Sequence, residues 1–568
     1  MDKDYERKCY ELAYLIFPDV FETVDDLEIK YPERNLNIGA KVTRFAPSPT
    51  GFLHTGALFM ALVNKKMAEQ SDGVFYLRIE DTDSKREVPG SVKLFTDELK
   101  AFGLSPMEGV VSEDKQEGFY GPYKQSQRAD IYRICAKHLV EKGLAYPCFC
   151  TPEKLAATHE AQEKNKIVPG YYGVYATCRN ISIDESIRRV KAGEPYILRF
   201  RSSGSHLNKT SFIDGARGKI ELAENDQDVV LIKGDGLPTY HFAHVCDDHF
   251  MRTTHVVRGE EWIPSVPIHL ELFKAMGFEA PTYVHCPLIM VKDGNSRRKL
   301  SKRKDKEAAV SFFLKSGYPV EGVIEYLMTI LNSDFEMWRN KNKDADISEF
   351  EFKLNKLSSA GSLLDIPKLN DVSKEIIAKM DSKEVLKRVL EWSKEYDESL
   401  NDILNNDLEY ARKVFAIERD GAKKIRKDIF KWEDIIPTFF YFFDELYQDE
   451  INKNGYQFDA VVSKEDSKLS VEDTKKVLKK YIEVYNHDED KEAWFNTVKS
   501  AANSLGYCTD MKEYKQNPDK YIGSTADFTG VIRMALTNRK NSPDIYQIMQ
   551  LLGKEKTLKR FEDALKNI

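Results

Sequence analysis

An apolar run from Lys41 to Ala46 breaks at Pro47 and passes through Pro47-Ser48-Pro49-Thr50-Gly51-Phe52-Leu53-His54-Thr55-Gly56-Ala57. After that turn the period changes: Leu58, Phe59, Leu62, Val63 and Met67 recur at helical spacing, and a second apolar run follows from Val74 to Glu80. Strand, Pro/Gly turn, amphipathic helix and strand make one unit. Such a unit pairs its strands in parallel through a right-handed crossover, so the chain is read as α/β, with ligands beyond the carboxyl ends of the strands. The turn suits a phosphate. The first N–H groups of a helix lack partners, and the helix dipole favours an anion there. The prolines at 47 and 49 stiffen the approach, Gly51 and Gly56 let a ligand come close to the backbone, and the His54 imidazole can donate to a phosphate oxygen.

A second feature lies far downstream. Residues 292–306 hold eight Lys or Arg against Asp293 and Asp305, a balance of +8 − 2 = +6, inside a chain whose formal net charge is -7. The stretch includes Lys299-Leu300-Ser301-Lys302-Arg303 and follows an apolar run from Tyr283 to Met290. A lysine on a flexible loop in that place can neutralise charge that develops as pyrophosphate leaves. Because the whole chain is not basic, a nucleic-acid partner must use local basic surfaces.

The 568 residues, 42% hydrophobic and 31% charged, suffice for several domains. The most apolar patch, Phe439 to Phe443, is too short to span a bilayer and reads as the core face of a helix. Met1 to Tyr31 lacks a basic-then-apolar leader pattern, and eight cysteines in so long a chain are not a disulfide framework. A cytoplasmic enzyme with no membrane partner is expected. An acidic stretch, with a short helix from Glu11 to Phe17 that Pro18 ends, precedes the α/β part. Residues 85–225 are mixed, with loops at Gly118 to Pro122 and Val168 to Gly173. Strand patterns return at Val229 to Lys233, His255 to Arg258 and Tyr283 to Met290. Beyond Lys306 the texture is helical, with amphipathic runs at Val320 to Leu331, Val385 to Trp392, Val471 to Tyr485 and Ile545 to Leu552.

Six ordered motifs resemble those of the bacterial-type glutamyl-tRNA synthetases, class I aminoacyl-tRNA synthetases. They are Thr43-Arg44-Phe45-Ala46-Pro47-Ser48-Pro49-Thr50-Gly51, Leu77-Arg78-Ile79-Glu80-Asp81-Thr82-Asp83, Gly121-Pro122-Tyr123-Lys124-Gln125-Ser126-Gln127-Arg128, Pro238-Thr239-Tyr240-His241-Phe242-Ala243, Val257-Arg258-Gly259-Glu260-Glu261-Trp262 and the Lys299–Arg303 loop. One departure is Ala57, where the generic class I signature has a second histidine. The resemblance implies an α/β fold: a class I synthetase Rossmann-like catalytic domain with an inserted acceptor-binding domain, then an all-α stem-contact and anticodon-binding region. It divides the chain into an acidic N-terminal extension (1–38), a first catalytic half (39–84), an inserted acceptor-stem domain (85–225), a second catalytic half (226–306), a stem-contact helical domain (307–395) and a helical anticodon-binding domain (396–568).

The resemblance also implies the chemistry. Glutamate attacks Mg-ATP (ATP with Mg2+) to give glutamyl-adenylate, and the 3′-terminal adenosine of tRNA-Glu then takes the glutamyl group. His54, Gly56 and Lys302 are the catalytic candidates. Pro47, Thr50, Gly51, His54, Gly56, Lys299, Ser301 and Lys302 are candidates for ATP binding. Arg44, Ser48, Glu80, Tyr240, His244 and Arg258 are candidates for L-glutamate, the arginines because their fork matches a carboxylate. Arg78 reads as a supporting residue. Glu261, Trp262, Arg533 and Arg539 are tRNA candidates. Cys148, Cys150 and Cys178 are a candidate Zn2+ site whose usual fourth place holds Asn180, with Tyr172, Tyr175 or His159 as substitutes. His241-x-x-His244-x-Cys246-Asp247-Asp248-His249 has metal-like spacing but falls in the substrate pocket. A monomer is expected. Two alternatives stay open: an enzyme that also charges tRNA-Gln, and a catalytically inactive tRNA-binding paralogue. A truncated tRNA-modifying paralogue is disfavoured by the roughly 265 residues after the basic loop. The role of residues 1–38 is left open.

Overall fold

Val42 to Phe45 are buried on both faces, the pattern of a central strand in a parallel sheet. In the computed structural model, which describes residues 3–83, 85–358, 361–458 and 469–568, they form the middle of a six-stranded sheet. The chain runs through α1 (Lys3–Ile16), α2 (Val24–Lys30), β1 (Val42–Phe45), α3 (Thr55–Glu69), β2 (Val74–Leu77), α4 (Ser91–Ala101), β3 (Glu108–Val110), β4 (Gln116–Glu117) and α5 (Ala129–Glu141). It continues with β5 (Ala145–Cys148), α6 (Pro152–Lys164), α7 (Ile183–Lys191), β6 (Ile197–Phe200), β7 (Lys209–Asp214), β8 (Gly218–Ala223) and β9 (Val230–Ile232). Then come α8 (Tyr240–Phe250), β10 (His255–Gly259), α9 (Val266–Met276), β11 (Thr282–Cys286), β12 (Ile289–Asp293) and β13 (Ser296–Lys299). The main sheet has the order β11-β10-β1-β2-β3-β4, parallel except for β4. The chain moves from β1 to one side and later returns on the other as β10, so the strand order reverses between β1 and β10. That is where open α/β sheets bind ligands.

Several sequence boundaries shift. β3 and β4 extend the main sheet, so the insertion starts later than residue 85. β9 pairs with β6 in a separate three-stranded sheet with β5, so the insertion runs past residue 225. Tyr283 to Met290 is two strands, not one. Two compact units emerge, Met1–Phe313 with Ile324–Asp365 and Leu314–Val323 with Ile366–Ile568. The segment after residue 306 is therefore divided between them: Ser362 and Leu363 pair with β12 in the first unit.

The acidic extension is an integral part of the first unit. Thr23 and Asp26 form a capping box that starts α2. Lys8 meets Asp184 at 2.9 Å and Glu11 meets Lys191 at 2.7 Å, both on α7. Glu28 meets His249 at 2.6 Å and Arg252 at 2.5 Å, at the end of α8. Arg34 grips Glu108 of β3 through two hydrogen bonds, 2.9 and 3.1 Å.

The second unit is helical around one hydrophobic core. Ser470 with Asp473 and Ser524 with Asp527 form capping boxes for the helices Val471–Val484 and Thr525–Thr537. The aromatic run at 439–443 is not the continuous helix expected. A short helix, Ile435–Phe439, passes into a 3-10 turn, Phe440–Phe442. The reason is tertiary. Arg560 takes the Tyr441 carbonyl at 2.7 Å and the Tyr410 hydroxyl takes the Phe442 carbonyl at 2.8 Å. Those acceptors therefore need no further helical turn.

Candidate active site

The two phosphate-type elements meet. His54 is the N-cap of α3, and its Nδ1 accepts from the Gly56 N–H at 2.9 Å. A Cβ at Gly56 would stand 3.1 Å from that ring nitrogen, so glycine keeps the ring and the helix start in contact. Gly51 sits at φ +112°, where a side chain is strained. The basic segment is laced to the same place rather than left as a flexible loop. Val310 N–H donates to Leu53 O at 3.0 Å, and Thr55 Oγ1 donates to Glu307 O at 2.6 Å. Asp305 accepts from both Arg298 Nη atoms at 2.7 Å and from Ser301 N–H at 2.8 Å, which fixes the turn. Lys302 Nζ donates to Phe52 O at 3.1 Å. Burial pulls the His54 pKa below its usual value, and Lys302 adds to the effect. Burial likewise lowers that of Lys302. The pair offers a neutral imidazole and a cation, each poised for charge that arrives with a ligand. Lys299 is paired with Glu261 at 3.0 Å.

Arg44 on β1 and Arg258 on β10 stand at the strand reversal. Arg44 Nε contacts both Asp248 oxygens, 3.1 and 3.3 Å, and its Nη1 donates to Val257 O at 3.2 Å. Arg78, fully buried, donates to Asp248 at 2.7 Å and to Glu80 at 3.1 Å, so it supports the pocket rather than lining it. Burial works against the Asp248 charge, but Arg44 and Arg78 hold its carboxyl well below the carboxylate range. Glu80 is the reverse: burial raises its pKa, with Arg78 opposing. Tyr240 lies over His244, ring centroids 5.9 Å apart, and against Trp262 at 4.5 Å. His244 Nε2 is 3.0 Å from the Tyr283 hydroxyl. Burial pushes His244 and His241 down to about 4, so both are neutral at pH 7. Ser48, Glu80, Gln125, Lys233 and Tyr240 line a cavity of about 420 Å³. Of the metal-like set on α8, His244 Nδ1 meets Asp248 Oδ2 at 2.6 Å, and the other side chains turn to separate partners. Asp247 serves Arg128 and the Tyr132 hydroxyl, Asp248 serves Arg44 and Arg78, and His249 turns to Glu28.

The Trp262 ring packs on Tyr240 and its carbonyl accepts from Arg258 Nη2 at 3.4 Å. In the second unit Arg533 Nη1 donates to Ser542 O at 3.1 Å and Ser542 Oγ at 2.9 Å. Arg533 also lines a cavity of about 690 Å³ with Lys491, Trp494 and Phe495. Arg539 donates to the Pro437 carbonyl.

The Cys148, Cys150 and Cys178 sulfurs lie within 4.8 Å of one another. Tyr172, one of the expected substitutes, donates to Val168 O at 2.7 Å. Tyr171 instead puts its hydroxyl 3.3 Å from both Cys148 and Cys150 Sγ, where it also accepts from the Cys178 N–H at 2.9 Å. The hydrogen bond from Cys178 lowers the Cys148 thiol pKa. Tyr171 lies seven positions before Cys178, so no short spacing marks it.

A parallel sheet with a phosphate-suited helix start and a basic segment laced to it defines a nucleotide-dependent enzyme of the class I synthetase type. Residues 41–371 match the family described as class I tRNA synthetases (E and Q), catalytic domain, and residues 524–565 match an anticodon binding domain. The glutamate–tRNA ligase of Clostridium perfringens (strain SM101) is 49% identical over 554 residues, 98% of this chain and 99% of the relative. That of Acetivibrio thermocellus is 44% identical over 563 residues, 99% and 100%. A crystal structure of a glutamate tRNA ligase from Elizabethkingia meningosepticum in complex with its amino acid matches with TM-score 0.70 at 27% identity, over 93% of this chain and 99% of that one. The chain belongs to the glutamate–tRNA ligase family of class I aminoacyl-tRNA synthetases.

Proposed function

We propose that this enzyme activates L-glutamate with Mg-ATP and transfers it to the 3′-terminal adenosine of tRNA-Glu. The observation that carries the reading is the strand reversal. It sets two buried arginines and Glu80 beside an entry cavity, in the same unit as a helix N-terminus with a basic segment laced to it. Arg44 and Arg258 bind the two carboxylates, and Glu80 faces the α-ammonium. Tyr240, His244 and Trp262 close the pocket, and Ser48 lines its mouth. The α-carboxylate attacks the α-phosphorus of ATP and the bond to pyrophosphate breaks. His54 and Lys302 stabilise the phosphate charge, helped by Pro47, Thr50, Gly51, Lys299 and Ser301 around the nucleotide, while Gly56 keeps the His54 ring against the helix start. No side chain forms a covalent intermediate; positioning and electrostatics supply the rate. Mg2+ rides on the ATP phosphates.

The tRNA acceptor end meets the inserted segment and Glu261. Arg533 and Arg539 belong to the anticodon side. Cys148, Cys150 and Cys178 would supply three thiolate ligands to Zn2+, with the Tyr171 oxygen, 3.3 Å from two of the sulfurs, as the fourth. Bound zinc would brace the insertion, away from the reacting atoms. Metal analysis of the purified protein should find about one zinc per chain, and less in Cys150→Ser. The enzyme is a monomer in the cytoplasm.

The test is aminoacylation with labelled glutamate on purified tRNA-Glu and tRNA-Gln separately. Charging of tRNA-Glu alone is expected. Charging of both would make the enzyme non-discriminating, and charging of neither would sink the reading.

A further inference from the structure

Arg258 is 5% exposed, yet among the described residues it has no carboxylate within ion-pair distance. Its Nε donates to His285 Nε2 at 3.0 Å and its Nη1 to the Tyr240 hydroxyl at 3.4 Å, while Nη2 donates to Trp262 O at 3.4 Å. Nη1 also lies 3.3 Å from His269 Nδ1, and the guanidinium sits 4.5 Å from the centre of the Tyr283 ring. Every one of these groups is neutral at pH 7.

The shortest contact requires one tautomer of His285. Asp214 Oδ2, at the end of β7, lies 2.6 Å from His285 Nδ1, so the ring proton is on Nδ1 and Nε2 offers its lone pair to Arg258. A proton on Nε2 would set N–H against N–H. Asp214 is itself held by the Ala216 N–H at 2.9 Å, the Arg217 N–H at 3.0 Å and the His285 N–H at 3.2 Å. Burial lowers the His285 pKa, outweighing the Asp214 hydrogen bond that raises it, so the neutral ring persists.

We propose that Asp214 and His285 are a positioning pair that fixes Arg258 for the side-chain carboxylate of the amino acid and so sets the preference for glutamate over glutamine. The inference rests on Arg258 binding that carboxylate. A carboxylate placed directly on Arg258 would orient it equally well, but it would also neutralise the charge that selects the substrate. With an imidazole between them, the arginine is oriented and its charge stays open. An entering carboxylate then meets a buried cation with no counter-charge, and an amide leaves that cation uncompensated.

The test uses the full chain with His285→Phe, His285→Gln, Asp214→Asn and Arg258→Met. Aminoacylation gives glutamate KM, ATP KM and the glutamate/glutamine ratio, and thermal unfolding reports the fold. His285→Phe should raise glutamate KM roughly ten- to hundredfold, leave ATP KM unchanged and narrow the ratio. His285→Gln, whose Oε1 can replace Nε2 as acceptor, should recover most of the loss, which a merely structural role would not predict. Asp214→Asn should raise glutamate KM by a smaller factor. If Arg258→Met raises glutamate KM while the folded His285 and Asp214 variants do not, the positioning pair is overturned. If Arg258→Met leaves it unchanged, the assignment of Arg258 itself fails. Should His285→Phe not fold, His285→Gln and Asp214→Asn decide: wild-type glutamate KM and ratio in Asp214→Asn overturn the proposal.

Discussion

Arg44 and Arg258 lie on neighbouring strands, both buried, and their partners are of opposite kinds. Arg44 shares Asp248 with Arg78, two cations on one carboxylate, with Glu80 on the far side of Arg78. Among the described residues Arg258 hydrogen-bonds only to neutral groups, and Asp214 reaches it through an imidazole. One side of the pocket is a closed ionic network whose charges depend on one another for stability. The other keeps a cation exposed to whatever enters. The same residue type is thus tied to a protein carboxylate on one strand and left without one on the next.

The largest expected effect breaks the ionic side. Asp248→Asn leaves Arg44 and Arg78 without their common anion. It should cost about 3–5 kcal/mol in chemical unfolding, and an unchanged midpoint would show that the network is not an anchor. Arg258→Met removes a buried charge that no carboxylate offsets. Its stability should stay close to wild type, while kcat/KM for glutamate falls at least about a hundredfold; a large loss of stability instead would erase the contrast. Lys302→Ala touches neither arginine. It should slow adenylate formation by roughly a hundredfold with glutamate KM unchanged, as read by ATP–pyrophosphate exchange with tRNA present.

The smallest effect concerns pH. His241, His244 and His255 are pushed by burial to about 4 from 6.5. Between those values the unfolded chain binds more protons at these rings than the folded one, so stability rises with pH across that window. The raised carboxyls of Glu80, Glu141 and Asp434 oppose this, and the lowered rings of His54, His138, His249, His269 and His285 add to it. The melting temperature should therefore fall by roughly a few degrees from pH 7 to pH 5. A rise would mean that these rings are not held neutral.

Much of the site could be read in the sequence because its determinants are local. The strand, turn and helix around Pro47–Ala57 announce themselves by period and by Pro and Gly, and the helix Ile545–Leu552 falls where its apolar spacing put it. The supports could not be read, because their partners are distant in the chain. Asp214 and His285 are 71 residues apart, and Asp214 comes from a hairpin in the insertion that has no ligand-like pattern. Asp248 and Arg44 are 204 apart. The extension's ties to α7 and α8 rest on surface charges that look ordinary in sequence. The motif Gly259-Glu260-Glu261-Trp262 gives no sign that the indole lies on Tyr240. The aromatic turn at 440–442 escaped because its carbonyls are taken by Arg560 and Tyr410 from other helices.

The most direct test of the account is the ratio of kcat/KM for glutamate to that for glutamine in the unaltered enzyme with tRNA-Glu. A pocket built around a buried arginine with no protein counter-charge predicts a ratio on the order of 10⁴ or more. A ratio within about tenfold, no larger than a single methylene could give, would contradict it.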